Sequence, residues 1–443
     1  MKLRNLLIAL TTVGTFMACT NNDDPIAPVI PEGEGIATLS VKIAELQTKS
    51  LGIEDGSTNE TIKDLCVLIF KGTGENAKLE KIGRVEVSTG SVTEVENIPI
   101  TSGNKKIIVL ANVNDYLSVL TEGENGTSYH DVLEKTYLTF SEKEQNGTLS
   151  MNSKVYDVTL SVSKKNYLGY IDKTDTEDEA VVAVASGDAK TPVKLYRNVA
   201  QVTLDNISFE PNLGLYKNAK LILHDIFILH GQEHTHLVGA EGAEWGSTCL
   251  TNAYLNGATN DDYLAWVNKM TSPGKVKAFN YIKSYYSPYL GKENTYRDSY
   301  PEPGIPLISV GDWKNEYSRK FYVYENENVE PGDTHTLLVV KADFLYENEG
   351  GTVTMSDRYY TIAVGVTGLE NGYTLGADDS MNGLTRNGES TFYGVLRNLS
   401  YKVSMTIAGP GSETPFDREY SANISASVKV NEWNVVKVPA EVN

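Results

Sequence analysis

The sequence predicts an all-β protein, folded as two tandem β-sandwich domains with a few short helices. Three observations carry that expectation. Short segments in which apolar and polar residues alternate recur along the 443 residues, and that alternation is the period of half-buried strands. Gly, Pro, Asn and Asp separate them, supplying turns. The segments also form two series with a break at about residues 191–194, in a chain long enough for two cores. No fixed-period repeat is visible, which argues against solenoids and propellers.

The first series opens with IATLSVKIAEL at residues 36–46. Ala37, Leu39, Val41 and Ile43 face one way there, and Thr38, Ser40 and Lys42 the other. A polar, glycine-bearing loop follows at 47–61. Further strands are expected at 64–70 (DLCVLIF), 106–113 (KIIVLANV) and 156–164 (YDVTLSVSK), with a short helix near 129–138 (YHDVLEKTYL). The second series runs through 193–209, 219–231, 335–346, 358–366 and 397–407. Residues 239–325 interrupt it with an irregular stretch, Tyr-rich over 276–325, of a length that is usually functional or a cover on a sandwich. The chain ends in ISASVKVNEWNVVKVPAEVN at 424–443. Ile424, Ala426, Val428 and Val430 make one apolar row of a strand. The Asn431-Glu432 step then reads as a change of phase, with Trp433 and Val435 on one side and Val436 and Val438 on the other.

Composition bounds the function. A formal charge of −19 opposes nucleic acid, whose backbone repels such a surface. No apolar run is long enough to span a membrane. At the N-terminus, Lys2 and Arg4 precede an apolar run at 6–14 and then Phe16-Met17-Ala18-Cys19, the layout of a secretory signal peptide over 1–18. A cysteine in place of the ordinary small-residue site resembles the bacterial lipobox, in which Cys19 is lipidated and becomes the mature N-terminus. Residues 20–35 are polar and proline-bearing, a tether. Cys66 lies within an apolar segment far from Cys249, and both are expected as small buried hydrophobes rather than a disulfide.

Chemistry-bearing patterns are weak. His230, Glu233, His234 and His236 of HGQEHTH have neither the HExxH spacing nor the partners of a closed zinc site. The acidic run DKTDTEDE at 172–179 lacks the ligand order, turn glycine and closing glutamate of a calcium loop. There is no nucleophile elbow, P-loop or dinucleotide fingerprint, and 58 acidic residues offer too many carboxylate pairs to single one out. The expectation is therefore no enzyme, no cofactor and no metal. Trp245, Trp266 and Trp313, with the tyrosines, leave one alternative from another class: a surface lipoprotein that stacks glycans on its β-sandwiches.

An ordered set of segments carries a resemblance. The lipobox cysteine is followed by GIATLSVKI (35–43), the basic Lys49 with SLGIEDG (50–56), IIVLANV (107–113) and NYLGYI (166–171). Then come YRNVAQVTL (196–204), RNLSYKVSMTIAGPG (397–411) and SVKVNEWNVV (427–436). The set resembles the FimA-type major fimbrillins, shaft subunits of the type V pili of Bacteroidetes. The resemblance implies two transthyretin-like Greek-key sandwiches, at 50–193 and 194–443. It implies export as an outer-membrane lipoprotein, then residence at the cell surface in a fimbria that serves adhesion. A trypsin-like surface protease would remove 19–49, the tether and first strand, by cutting between Lys49 and Ser50. The displaced strand carries Ala37, Leu39, Val41 and Ile43. Residues 421–443 of another copy, with Ile424, Ala426, Val428, Val430, Trp433, Val435, Val436 and Val438, would then fill the vacated groove. The implied partners are further copies, minor fimbrial subunits, the protease, and host or bacterial surface receptors, with no nucleic acid and a membrane only through the precursor's lipid. A tip or anchor subunit is the nearest alternative. Lys49 stands where the best-known pattern has arginine, and no arginine lies between Arg4 and Arg84. Lys42 is the poorer site, since it lies within the strand.

The physics of such an exchange is favourable. Losing 36–49 exposes Leu65, Val67 and their partners and unpairs a row of backbone groups, which invites strand addition. Four or five donor anchors, at ~1.5–3 kcal/mol each, gross on the order of 10 kcal/mol before ordering costs. The turn-forming AGPGSETP at 408–415 lets the last strands hinge outward. Head-to-tail contacts of this type build filaments.

Overall fold

The computed structural model describes residues 35–44, 61–140, 144, 148–185, 189–239, 254, 283–284, 307–308, 319–327, 335–364, 394–395, 397–416 and 424–432. Their regular structure is almost entirely strands. The first half holds β1 (Ile36–Lys42), β2 (Asp64–Lys71), β3 (Lys78–Glu86), β4 (Glu94–Thr101) and β5 (Gly103–Ala111). A 3₁₀ turn (Asn114–Val119), α1 (Tyr129–Lys135), β6 (Tyr137–Thr139), β7 (Met151–Asn152) and β8 (Tyr156–Leu160) follow. β9 (Lys165–Leu168), β10 (Glu179–Val181), β11 (Ala183–Val184) and β12 (Tyr196–Arg197) complete it. One sheet has the order β10-β9-β1-β4, and the other runs β11-β8-β5-β2-β3 with β7 attached at β5 and β12 paired to β7.

The second half holds β13 (Val199–Phe209), β14 (Lys217–Leu229), β15 (His234–His236), β16 (Lys283–Ser284), β17 (Leu307–Ile308) and β18 (Arg319–Tyr324). β19 (Asn326–Glu327), β20 (Leu337–Asn348), β21 (Gly351–Ala363), β22 (Gly394–Val395), β23 (Leu399–Ile407) and β24 (Ile424–Glu432) follow. They form the sheets β18-β13-β23-β24 and β16-β14-β20-β21, with β17 also on β14 and β19 paired to β22. Sheet membership changes between Arg197 and Val199, a few residues beyond the break read from the sequence.

Local chemistry explains these elements. Residues 65–70 of β2 are buried without interruption, as expected for a strand covered on both faces. Lys105 of β5 is buried as well. It donates to Thr101 Oγ1 at 2.7 Å and pairs with Glu80, so its charge is compensated where no apolar pattern announces it. The expected helix is present: the Ser128 hydroxyl accepts from the Asp131 N–H as its cap, and Lys135 pairs with Asp131 at 2.6 Å. Cys66 is a free, buried cysteine, and burial pushes its thiol up to about 12. It behaves as the expected small hydrophobe, while Cys249 lies outside the described residues.

The two halves are stitched together. β6 pairs antiparallel with β15, Leu138 opposite Thr235, and the Leu237 N–H donates to the Thr136 carbonyl at 2.9 Å. Beside this ribbon Arg397 is buried, its Nε donating to Glu325 at 2.8 Å and its Nη2 to Thr235 Oγ1 at 2.8 Å. A reciprocal pair of Arg-Asn dipeptides closes the cluster. Arg397 Nη1 donates to Asn198 Oδ1 at 3.0 Å, and the Arg197 N–H donates to Asn398 Oδ1 at 3.1 Å. The hydroxyl of Tyr324 donates to the buried carboxylate of Glu144 at 2.8 Å.

Arg397→Ala strands the Glu325 carboxylate in this cluster and is expected to cost about 3–5 kcal/mol, read as a drop in the thermal unfolding midpoint, with R397M/E325L recovering most of it. His236, also buried here, is held below its ordinary 6.5 by burial first and by Arg397 second. Its contribution is fully present above 6.5 and is lost as pH falls through the lower folded value, because the unfolded chain then binds the proton the fold excludes. His236→Gln should therefore lose less stability than the parent chain between about pH 7 and pH 5.

Candidate functional site

The first strand is an interior strand. β1 is antiparallel to β4, with Ala37 opposite Ile100, Leu39 opposite Ile98 and Val41 opposite Val95. On its other side it is parallel to β9, with Leu39 opposite Asn166 and Val41 opposite Leu168. Ala37, Leu39, Val41 and Ile43 are all buried, and Ser40 with them. The pairing continues past the strand: the Ile43 N–H donates to the Thr93 carbonyl and the Ala44 N–H to the Val193 carbonyl, each at 2.9 Å. Leu65 and Val67 sit in the facing sheet, in the same core.

Both walls are shaped to this strand. On β4, Glu96 and Asn97 bulge opposite Ser40, Asn97 taking φ 54°, a left-handed conformation that asparagine tolerates. Its N–H donates to Ser40 Oγ at 3.0 Å. On the β9 side, the fully buried Asn166 donates from Nδ2 to the Thr38 carbonyl at 3.2 Å. Gly169, at φ 86°, leaves no room for a side chain, since a Cβ there would stand 2.2 Å from the Lys42 carbonyl oxygen. Lys42 itself reaches over the Tyr170 ring, 5.6 Å from its centre. Asn166, Gly169 and Tyr170 all belong to the NYLGYI segment, whose role sequence reasoning missed. The lone signal was a glycine and an asparagine in an otherwise strand-like run.

The last described strand belongs to the other half. β24 pairs antiparallel with β23, Ile424 opposite Ile407, Ala426 opposite Met405, Val428 opposite Val403 and Val430 opposite Tyr401. Among the described residues β23 is its one neighbour, which makes it an edge strand of its own sheet. Cys19, Lys49, Ser50, Trp433, Val435, Val436 and Val438 lie outside the described residues, as do Trp245, Trp266 and Trp313.

The remaining candidates have structural employment. His230 Nδ1 lies 2.9 Å from the His335 carbonyl oxygen, and His234 Nδ1 lies 3.2 Å from Thr139 Oγ1. Among the described residues no three His, Cys, Asp or Glu side chains gather where they could hold a metal. In the acidic run, Glu179 accepts from Lys173 at 3.0 Å and from the Tyr167 hydroxyl at 2.9 Å, and Asp175 caps the Val181 N–H at 2.9 Å.

Comparison with known proteins bears on this pair of strands. Residues 37–197 match the family described as Major fimbrial subunit protein (FimA), and residues 305–433 match the FimA4 pilin C-terminal domain. The chain belongs to the FimA-type fimbrillins. The two matches include β1 and β24 respectively. Among curated relatives, the fimbrillin is 24% identical over 427 residues to Major fimbrium subunit FimA type-2 of Porphyromonas gingivalis, covering 95% of this chain and 94% of that one. It is 26% identical over 437 residues to the type-4 subunit of strain ATCC BAA-308 / W83, covering 96% of each. In fold it is similar to a crystal structure of a fimbrilin from Porphyromonas gingivalis W83, with a TM-score of 0.53 at 20% identity, over 91% of this chain and 99% of that one.

The fimbrillin's first strand is a stability element in its own right. Leu39→Ala removes a fully buried side chain between β4 and β9 and is expected to cost about 2–5 kcal/mol, measured by chemical unfolding of the intact chain.

Proposed function

We propose that this fimbrillin is the polymerising shaft subunit of a cell-surface fimbria, assembled when proteolysis frees its first strand and the last strand of another copy takes the vacated place. One observation carries the reading. The described strand nearest the N-terminus is paired on both sides, in the middle of a sheet, yet it is joined to the described residues that follow it through residues 45–60, where Lys49 and Ser50 lie. One cut there turns it from part of the chain into a bound peptide. Its departure leaves β4 and β9 facing each other across a gap one strand wide, with two rows of backbone groups unpaired and a buried apolar face bared.

A strand is the ligand that such a gap accepts, through backbone bonds on both sides and alternate side chains facing the core. β24 has the right length and an apolar row, and it sits at a sheet edge with a single described neighbour. The replaced and replacing strands carry similar apolar residues, and the covalently tethered one has the higher effective concentration, so the intact precursor resists premature exchange. A tip or anchor position would require an unusable tail or an unprocessed front. Here the tail is a strand and a basic residue follows the first strand. The precursor travels as a lipoprotein: signal peptide 1–18, Cys19 carrying palmitate and anchoring it in the outer membrane until processing releases it. Minor subunits, a trypsin-like surface protease and surface receptors complete its partners, and adhesion is its task.

N-terminal sequencing of fibres from the cell surface tests this: the expected start is Ser50, and Lys49→Ala should leave unprocessed chains. Fibres that retain a lipidated Cys19, or a chain lacking 428–443 that still polymerises, would overturn the reading.

A further inference from the structure

The last strand repeats the first. Laid without gaps, Ile424-Ser425-Ala426-Ser427-Val428-Lys429-Val430 falls on Ala37-Thr38-Leu39-Ser40-Val41-Lys42-Ile43. Ser-Val-Lys is identical, serine replaces threonine, and valine replaces isoleucine. The alternating apolar residues of the two segments differ in total by one methylene, with the larger neighbour moved from position 39 to position 37 on the same face. Cores tolerate such redistribution when volume is kept. We propose that β24 of one copy enters the slot of a second copy in this register and with the polarity of β1, Ser427 standing where Ser40 stands. The inference rests on the exchange reading above and adds which residue meets which wall.

The walls of the slot discriminate between registers. A shift by one residue turns the apolar row outward, so only even shifts compete. Advancing the tail by two puts Lys429 at the Ser40 position, which is 3% exposed, and Glu432 at Ile43, 1% exposed. Both charges would be buried, and the Asn97 N–H of the bulge would lose its hydroxyl acceptor. Retreating by two puts Lys429 at the Ala44 position, 6% exposed, so its charge would start from a buried site. Reversing the strand puts Lys429 at Thr38, whose Oγ1 is buried without a partner among the described residues. In the proposed register Lys429 takes the half-buried place of Lys42, over the Tyr170 ring and opposite Glu94, and Ser427 receives the Asn97 N–H. Asn166 then donates to the carbonyl of Ser425, and Gly169 passes that of Lys429, as they meet Thr38 and Lys42 in the precursor.

Cysteine cross-linking of assembled fibres reads the register directly. Val41 faces Val95 on one wall and Leu168 on the other. Val95→Cys is combined in turn with Ala426→Cys, Val428→Cys and Val430→Cys, and the same three tail positions are combined with Leu168→Cys. Directly opposed positions lie within disulfide reach, whereas positions two residues along lie at or beyond its limit. The expected result is roughly tenfold more intersubunit disulfide for the Val428 pairs than for the others, identified by mass spectrometry of the linked peptides. Using both walls keeps the test open if one substitution prevents folding. Cross-linking through Ala426 or Val430 instead overturns the register and leaves the exchange intact. Fibres that form with no cross-link to either wall overturn the exchange itself, and the register with it.

Discussion

A strand in the middle of a sheet satisfies two rows of backbone hydrogen-bonding groups at once, and β1 does so from the end of the described chain. That combination governs the rest of the structure. β4 and β9 are neighbours only through it; the bulge at Asn97, the carboxamide of Asn166 and the bare backbone at Gly169 are all cut to its outline. A terminal strand at an edge can fray at small cost, since water takes over one row of bonds. An interior strand cannot, because its loss opens a dry slot with polar walls. The intact sheet is therefore closed and self-sufficient, and under the proposed exchange the site opened by removal of β1 has a shape already set by that segment.

β1 and β24 lie in different halves of the chain, so under the proposed head-to-tail assembly any force along a fibre passes through the junction between the halves. That junction combines a β-ribbon, β6 with β15, and a buried polar cluster around Arg397 and Glu325. A buried ion pair adds little net stability over apolar packing, but it tolerates few alternative geometries. The two Arg-Asn dipeptides hold the starts of β13 and β23 in parallel register, Asn398 also donating its N–H to the Val199 carbonyl at 2.8 Å. β23 is the strand on which β24 rests. The cluster thus fixes the sheet that carries β24 relative to the half that contains β1.

Much of this was legible from residues alone. The alternation of Ala37, Leu39, Val41 and Ile43, and of Ile424, Ala426, Val428 and Val430, marks both strands, since a period of two reports one buried face wherever it occurs. A helix was legible near 129–138, but its serine cap at Ser128 and its end at Lys135, ahead of the strand at 137–139, come from the structure. The burial of Lys105 was not legible: a lysine in a strand reads as solvent-facing, and only the fold brings Glu80 and Thr101 to meet it. Nor do Arg397, Glu325, Thr235 and Asn198 form a motif, being drawn together from four distant places in the chain.

What the sequence determined by itself was local: which segments become strands, which face of each is apolar, and the order of segments that marks the family. These depend on side-chain period and turn chemistry, which act over a few residues. Tertiary structure alone decided that the first strand lies between two others, that NYLGYI forms one of its walls, and that a cluster of charges is sealed between the halves. Strand neighbours are chosen by long-range pairing, and nothing in a strand's own residues says how many partners it will have.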